Sequence, residues 1–233
     1  MIPCVSHDME PQIAFRPAER ENSGVLARLE KRTLIWLAHH LPAWVHSDHL
    51  TALGFLALAG AGVSYWFSRD SPLALVLVNV LLVVNWFGDS LDGTVARVRN
   101  RQRPRYGFYV DHVLDACGSV FLFMGLALSG YMSERIAVGL LVAYFLVSIE
   151  VYLATYTLGK FQLSQFAFGP TELRVLLIVG NFVLLTKPVV TLGGDQYLLF
   201  DVGGAAGIVG LTAALLWSTL KHGADLYRAE RLP

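Results

Sequence analysis

Four aspartates stand in two pairs whose spacing can bring their carboxylates together. Asp89 and Asp92 are three residues apart and Asp111 and Asp115 are four apart, so each pair shares one face of a helix. Four carboxylates at close range repel one another unless cations neutralise them. Such hard oxygen ligands suit Mg²⁺ or Mn²⁺, and two ions held in this way can clamp a phosphoryl group during in-line displacement. The spacing therefore predicts a centre of two metal ions that handles phosphate.

Small residues and one arginine accompany the aspartates. Gly93 and Ala96 keep the helix surface low beside Asp92, and Gly107 does the same for the helix that carries the second pair. Arg97 follows Gly93 by four residues, so it lies on the same face, and its planar guanidinium can bind a pyrophosphate through two parallel hydrogen bonds. These features predict a site for a diphosphate ester.

The helices that must carry these residues belong to a strongly apolar chain. Of 233 residues 55% are hydrophobic and 15% are charged, whereas an ordinary soluble domain has roughly 25% charged residues. Several apolar stretches approach the roughly 20 residues that cross a bilayer. We predict an all-α integral membrane protein with six transmembrane helices. The predicted spans are residues 50–67, 73–97, 106–130, 135–158, 171–186 and 197–218.

The N-terminal part of the chain has a different pattern. Residues 24–41 alternate apolar and basic faces at helical spacing, which predicts an amphipathic helix lying in the membrane interface. We interpret residues 1–22 as a disordered cytosolic tail, residues 23–225 as a single domain and residues 226–233 as a C-terminal tail.

Basic residues indicate how the predicted helices are oriented. Lys and Arg number 18 and equal the 18 Asp and Glu, so the net charge gives no reason to expect a nucleic-acid partner. Fifteen of the basic residues fall on the side of the four aspartates, which predicts that this side and both termini are cytosolic. We interpret four of them as topogenic side chains that face anionic lipid. These four are Arg99, Arg101, Arg103 and Arg105.

The run from Asp89 to Asp115 resembles the signature of the CDP-alcohol phosphotransferases, also called CDP-alcohol phosphatidyltransferases. These are membrane enzymes of phospholipid synthesis with six core transmembrane helices. The eight defining residues are present, with nine residues between Arg97 and Gly107 where the family usually has eight. The signature residues are Asp89, Asp92, Gly93, Ala96, Arg97, Gly107, Asp111 and Asp115.

The resemblance implies a role for each signature residue. Asp89, Asp92 and Asp111 would be ligands of two Mg²⁺ or Mn²⁺ ions, and Asp115 would be a further ligand or the general base that accepts the attacking hydroxyl's proton. The small residues and the arginine would contact the CDP moiety. It also implies a homodimer in a membrane, which we expect to be the bacterial inner membrane.

Four further residues are candidates for the substrate pocket. Asp48 and Thr51 fall where many family members start the first helix with Pro-Asn-x-x-Thr, so a nucleotide-side role is open to both. Glu150 lies in an apolar helix, where a carboxylate is costly unless it faces a cavity. Glu172 begins the fifth predicted helix and either shapes the acceptor pocket or pairs with Arg174.

The function that follows is transfer of a phosphoryl-alcohol group from a CDP-linked donor to a hydroxyl acceptor, with release of CMP. Within the resembled family, six spans suit the members that use CDP-diacylglycerol, so we favour this lipid as the donor. Membrane lipids are the other expected partners. The pattern Asp111-His112-x2-Asp115-Ala116 and the pair Thr171-Glu172 resemble the branch that moves choline or ethanolamine phosphate to diacylglycerol, which is the alternative. A small ion-coupled transporter or channel would spread its charges through the depth of several helices, whereas here they cluster at one end.

Overall fold

The computed structural model describes residues 19–21, 27–158, 160–162 and 170–230. Within these ranges the chain forms seven helices and is an all-α membrane protein, as predicted. The helices are α1 (Ala27–His40), α2 (Ser47–Phe67), α3 (Ala74–Val98), α4 (Pro104–Leu128), α5 (Glu134–Leu158), α6 (Pro170–Leu184) and α7 (Leu199–Ala229).

Five of the described helices, α2, α3, α4, α5 and α7, are long and apolar enough to cross a membrane. The remaining predicted span corresponds to α6, which has 15 residues and is therefore about 22 Å long, short of the roughly 30 Å hydrocarbon layer. The count of six spans stays a prediction. Of the predicted N-terminal tail, only Glu19–Glu21 lies within the described residues, as strand β1 paired in parallel with β2 (Lys160–Gln162).

The helices α2, α3 and α4 pack with their backbones in contact at two levels. A Cβ added to Gly88 of α3 would lie 2.6 Å from the Leu50 carbonyl oxygen and from the Gly54 nitrogen of α2. Further along α2, a Cβ on Gly125 of α4 would overlap the carbonyl of Gly62. Only glycine allows these approaches, so α2 is fixed against both neighbours.

We call the end of the bundle formed by the starts of α2, α4 and α6 and by the last turns of α3 and α5 the site end, and the opposite end the far end. The amphipathic helix α1 lies at the site end, where Leu34 and Ala38 pack against Leu91 and Val95 of α3. A larger apolar cluster fills the bundle towards the far end and includes Leu82.

Three polar side chains are buried inside the apolar bundle towards the far end. The Tyr65 hydroxyl donates to Asn181 Oδ1 at 2.7 Å, and Asn181 Nδ2 donates to Asn79 Oδ1 at 2.8 Å. The three residues belong to α2, α6 and α3, so these bonds tie the short α6 to two helices whose backbones are in contact. A hydrogen bond between helices in a membrane stabilises their association by about 0.6–2 kcal/mol.

A β-hairpin joins α6 to α7 at the far end. Strands β3 (Val189–Leu192) and β4 (Asp195–Leu198) are antiparallel, with Leu192 opposite Asp195. Gly193 and Gly194 form the turn with φ of 62° and 100°, values that favour glycine. The tight turn returns the chain directly into α7, which packs along α5.

Candidate active site

Three of the four predicted carboxylates converge at the site end. Asp89 comes from α3, and Asp111 and Asp115 come from α4, with one oxygen of each lying within 4.8 Å of the others. All three line a pocket together with Thr51, Gly54, Phe55 and Leu114. The convergence arises because the loop between α3 and α4 turns the chain back on itself. Three partly buried carboxylates are a donor set that suits a hard divalent cation.

The fourth aspartate, Asp92, is held from α2. Thr51 Oγ1 donates a 2.6 Å hydrogen bond to Asp92 Oδ2, and the Gly93 N–H lies against Oδ1. Thr51 itself lines the pocket of the three carboxylates, so Asp92 is adjacent to that pocket although it is not one of the converging group. The hydroxyl of Thr51 and the Gly93 N–H orient the Asp92 carboxylate beside the pocket.

Arg174 of α6 is a site residue that the sequence analysis did not single out. Its Nη2 donates to Asp89 Oδ2 at 2.5 Å, and its Nε donates to Asn85 Oδ1 at 2.8 Å. Asn85 is almost completely buried and donates through Nδ2 to the Gly54 carbonyl at 2.9 Å. The guanidinium is therefore fixed from two directions and brings a positive charge to the three carboxylates.

Asp48 occupies the rim of the site, one turn before Thr51 on α2. Its carboxylate accepts a hydrogen bond from Arg103, the residue before α4, and the Arg103 guanidinium lies 4.2 Å from the centre of the Tyr106 ring. The hydrogen bond to Asp48 raises the pKa of Arg103, so the arginine keeps its charge. Both partners are about half exposed, and the pair bridges α2 and α4 at the surface.

The residues predicted to contact the CDP moiety border open space. Gly93 and Ala96 lie half-buried in the last turns of α3, and Arg97 is exposed, with Nη2 donating to Thr94 Oγ1 at 3.0 Å. Gly107 is in the first turn of α4, and a Cβ there would meet nothing within 4 Å. The structure therefore has open space beside Gly107.

Two interpretations from the sequence change at this end. Arg99 was expected to face lipid, but its guanidinium donates to the carbonyls of Leu41 at 2.9 Å, Pro42 at 3.1 Å and Val45. That interpretation was wrong, because Arg99 supplies the hydrogen bonds of the α1–α2 connection. Arg103, in the same group, binds Asp48.

Glu150 and Glu172 lie in different surroundings. The Glu150 carboxylate accepts hydrogen bonds from Ser218 at 2.9 Å and lies 2.7 Å from His222 Nδ1, so it joins α5 to α7. Glu172 is in the first turn of α6, two residues before Arg174, and is partly buried. His112 stacks on Phe108 with 4.1 Å between ring centres.

Comparison with known proteins agrees with this geometry. Residues 44–220 match the model of a family described as CDP-alcohol phosphatidyltransferase. An archaetidylinositol phosphate synthase of Pyrococcus horikoshii is 26% identical over 117 residues, which are 50% of this chain and 55% of the relative. The chain thus spans about half the length of that curated relative. Since the family match covers α2 to α7 up to Leu220, and with it every aspartate of the site, the chain belongs to the CDP-alcohol phosphatidyltransferase family.

Proposed function

We propose that this protein transfers a phosphatidyl group from CDP-diacylglycerol to a hydroxyl acceptor and releases CMP. The observation that carries the proposal is the convergence of Asp89, Asp111 and Asp115 within 4.8 Å in a pocket at the ends of membrane helices. A carboxylate cluster at the ends of membrane helices can be reached by a lipid-anchored diphosphate and by an acceptor from the aqueous side.

The aspartates are proposed to hold two divalent cations, Mg²⁺ or Mn²⁺. When bound, such ions neutralise the charge on the donor's diphosphate and on the leaving CMP. Asp89, Asp92 and Asp111 would supply the ligands. Arg174, bonded to Asp89, keeps that carboxylate in one orientation.

Asp115 is proposed to be the group that takes the acceptor's proton, and its alternative role is that of a further metal ligand. The acceptor hydroxyl oxygen forms a bond to the donor phosphorus that carries the lipid, and the bond from that phosphorus to the CMP oxygen breaks. CMP leaves with the electron pair, and the hydroxyl proton passes to Asp115. Atoms and charges balance without another reactant.

The CDP moiety is proposed to lie over the low surface made by Gly93, Ala96 and Gly107. Arg97 is exposed beside this surface, where its guanidinium can reach the donor's phosphate. Asp48 and Thr51 are at the same rim and would lie beside the nucleotide. Glu172, at the start of α6, is proposed to border the acceptor.

The alternative donor is a CDP-aminoalcohol, with diacylglycerol as acceptor. The name of the Pyrococcus horikoshii relative, an archaetidylinositol phosphate synthase, supports the lipid-linked donor. Purified protein in nanodiscs with Mg²⁺ should release CMP from radiolabelled CDP-diacylglycerol and not from CDP-choline or CDP-ethanolamine. CMP release from the aminoalcohol donors alone would select the alternative.

The same assay tests the chemistry. Asp115→Asn should abolish CMP release, whereas Asp195→Asn, in the hairpin at the far end, should leave it unchanged. CMP release by Asp115→Asn at the wild-type rate would contradict the assigned role. Failure of the wild type to release CMP from any donor would overturn the proposed function.

The membrane arrangement is part of the proposal. We place the site end and both termini on the cytosolic side of a bacterial inner membrane and propose a homodimer. Gly204 and Gly207 of α7 do not mark the dimer face, because a Cβ on either would meet Ile136 or Leu140 of α5 in the same chain. Chemical cross-linking in native membranes tests the dimer.

A further inference from the structure

One carboxylate oxygen of α1 accepts three hydrogen bonds from the two helices α3 and α6. Glu30 Oε1 lies 2.9 Å from Trp86 Nε1 and 3.2 Å from Ser90 Oγ, both on α3. The same oxygen lies 2.9 Å from Thr171 Oγ1 in the first turn of α6. Each of the three groups donates, so a single carboxylate joins three separate elements of the fold.

The position of Glu30 is set by the packing of α1. Glu30, Leu34 and Ala38 follow one another at intervals of four residues, so they lie on one face of the helix. Leu34 and Ala38 are 8% and 2% exposed and pack on α3, which directs Glu30 towards the same helix. Helix α1 lies outside the family match, which begins at residue 44. Glu30 therefore lies outside the residues that the family model matches.

The donors of Glu30 adjoin the site on both helices. Ser90 follows Asp89 directly, and Thr171 precedes Arg174 by three residues on the same face of α6. Arg174 in turn binds Asp89. The first turn of α6 is thus attached to the last turns of α3 twice, once through Glu30 and once through the pair of Arg174 and Asp89.

Electrostatics favours a carboxylate at this point. The start of a helix carries a partial positive charge, and an anion beside it is stabilised by about 0.3–1 kcal/mol. The hydroxyl of Thr171, the second residue of α6, donates to this carboxylate from the first turn of the helix. Glu30 accepts this bond while bonding α3.

We propose that Glu30 is a positioning residue for the reaction, which holds the first turn of α6 so that Arg174 stays on Asp89. The inference rests on the proposed function. It makes α1 a working part of the active site as well as a helix at the membrane surface. Without the carboxylate, the first turn of α6 loses its hydrogen bond to α1, so Arg174 and with it Asp89 are held less firmly.

Activity in nanodiscs tests the proposal. Glu30→Ala should lower kcat for CMP release about tenfold and leave the KM for the CDP donor within twofold, because the surface for the CDP moiety lies on other residues. Glu30→Gln should keep most of the activity, since its amide oxygen accepts the same bonds. Thr171→Val should lower kcat by less, and adding it to Glu30→Ala should cause no further loss. The control is Glu134→Ala, an exposed carboxylate at the far end.

Hydrogen exchange of the same variants reports on α6 without substrate. Amides in residues 171–176 should exchange faster in Glu30→Ala than in the wild type, and at the wild-type rate in Glu30→Gln and Glu134→Ala. Wild-type kcat in Glu30→Ala, or losses that multiply in the double variant, would overturn the inference and leave the proposed function standing. A wild type that releases no CMP from any donor would instead overturn the proposed function.

Discussion

Thr51 on α2 donates a hydrogen bond to Asp92 on α3, with 2.6 Å between Oγ1 and Oδ2. The bond is possible because Gly54 and Gly88 let the two helix backbones touch next to it. A small hydroxyl residue one turn before a glycine thus connects the backbone contact of α2 and α3 to a carboxylate of the site.

Removal of this hydroxyl should impair the enzyme. Thr51→Val keeps the shape of the side chain but leaves the Asp92 oxygen without its donor, which costs about 1–3 kcal/mol for a buried group. We expect CMP release to fall at least about fivefold, since 1 kcal/mol corresponds to about that factor. Thr51→Ser retains the hydroxyl and should remain close to the wild type. Equal activity of the Val and Ser variants would contradict this role for the bond.

Addition of a single methyl group at the helix contact should destabilise the fold. Gly88→Ala places a Cβ 2.6 Å from backbone atoms of Leu50 and Gly54, so α3 has to move away from α2. Overpacking of this kind costs about 1–3 kcal/mol. Thermal unfolding in detergent should show a lower midpoint for Gly88→Ala. Gly203→Ala, where a Cβ meets nothing within 4 Å, should not lower it, and equal losses would contradict the explanation.

Divalent metal should be required for activity and should bind through the converging aspartates. Removal of metal with EDTA should abolish CMP release, and Mg²⁺ or Mn²⁺ should restore it. Asp111→Asn should raise the Mn²⁺ concentration needed for half-maximal activity and weaken Mn²⁺ binding measured by electron paramagnetic resonance. Asp195→Asn is the control for loss of one negative charge. Full activity in EDTA would contradict a metal centre.

The planar fork of Arg97 should matter for the donor. Arg97→Lys keeps the charge but not the two parallel donors, so the KM for CDP-diacylglycerol should rise about tenfold. Arg101→Lys, an exposed change in the adjacent loop, should leave the KM unchanged. Steady-state kinetics in mixed micelles measures both. A similar KM for the two variants would show that Arg97 does not contact the donor.

The orientation of the bundle can be read by labelling single cysteines. In a chain with Cys4→Ser and Cys117→Ser, we expect Asn100→Cys at the site end to resist a membrane-impermeant maleimide in intact spheroplasts and to react after lysis. Gln196→Cys, an exposed position in the far-end hairpin, should react in both. The reverse pattern would place the site end outside.

The helical class and the pairing of carboxylates could be predicted because both are local in sequence. Asp111 and Asp115 share a helix face by spacing alone, and a short connection is sufficient to bring Asp89 beside them. Apolar composition identified the long helices for the same reason. The predicted span 171–186 also lies within two residues of α6 at each end, but the 15 residues of that helix are fewer than the roughly 20 that cross a bilayer.

The hydrogen-bond partners of the site residues could not be predicted from the sequence. Glu30 and Thr171 are 141 residues apart, and Asn85 and Arg174 are 89 apart, so only the packing of α1 and α6 on α3 brings them together. The sequence likewise does not distinguish Arg99 from the neighbouring arginines, because its bond to the Leu41 carbonyl depends on the packing of the chain. The hydrogen-bond partners of long polar side chains thus depend on how the helices pack.

The glycine contacts hold α2, α3 and α4 together, whereas α5 and α7 are less constrained. With backbones touching at Gly54 and at Gly62, α2, α3 and α4 cannot slide past one another without steric overlap. In the most apolar 18-residue stretch of each helix, 11% of α5 and 17% of α7 is buried, against 44% of α2. We therefore expect α5 and α7 to shift when the lipid enters laterally from the bilayer and when the product leaves. The carboxylate cluster should stay in place during both steps.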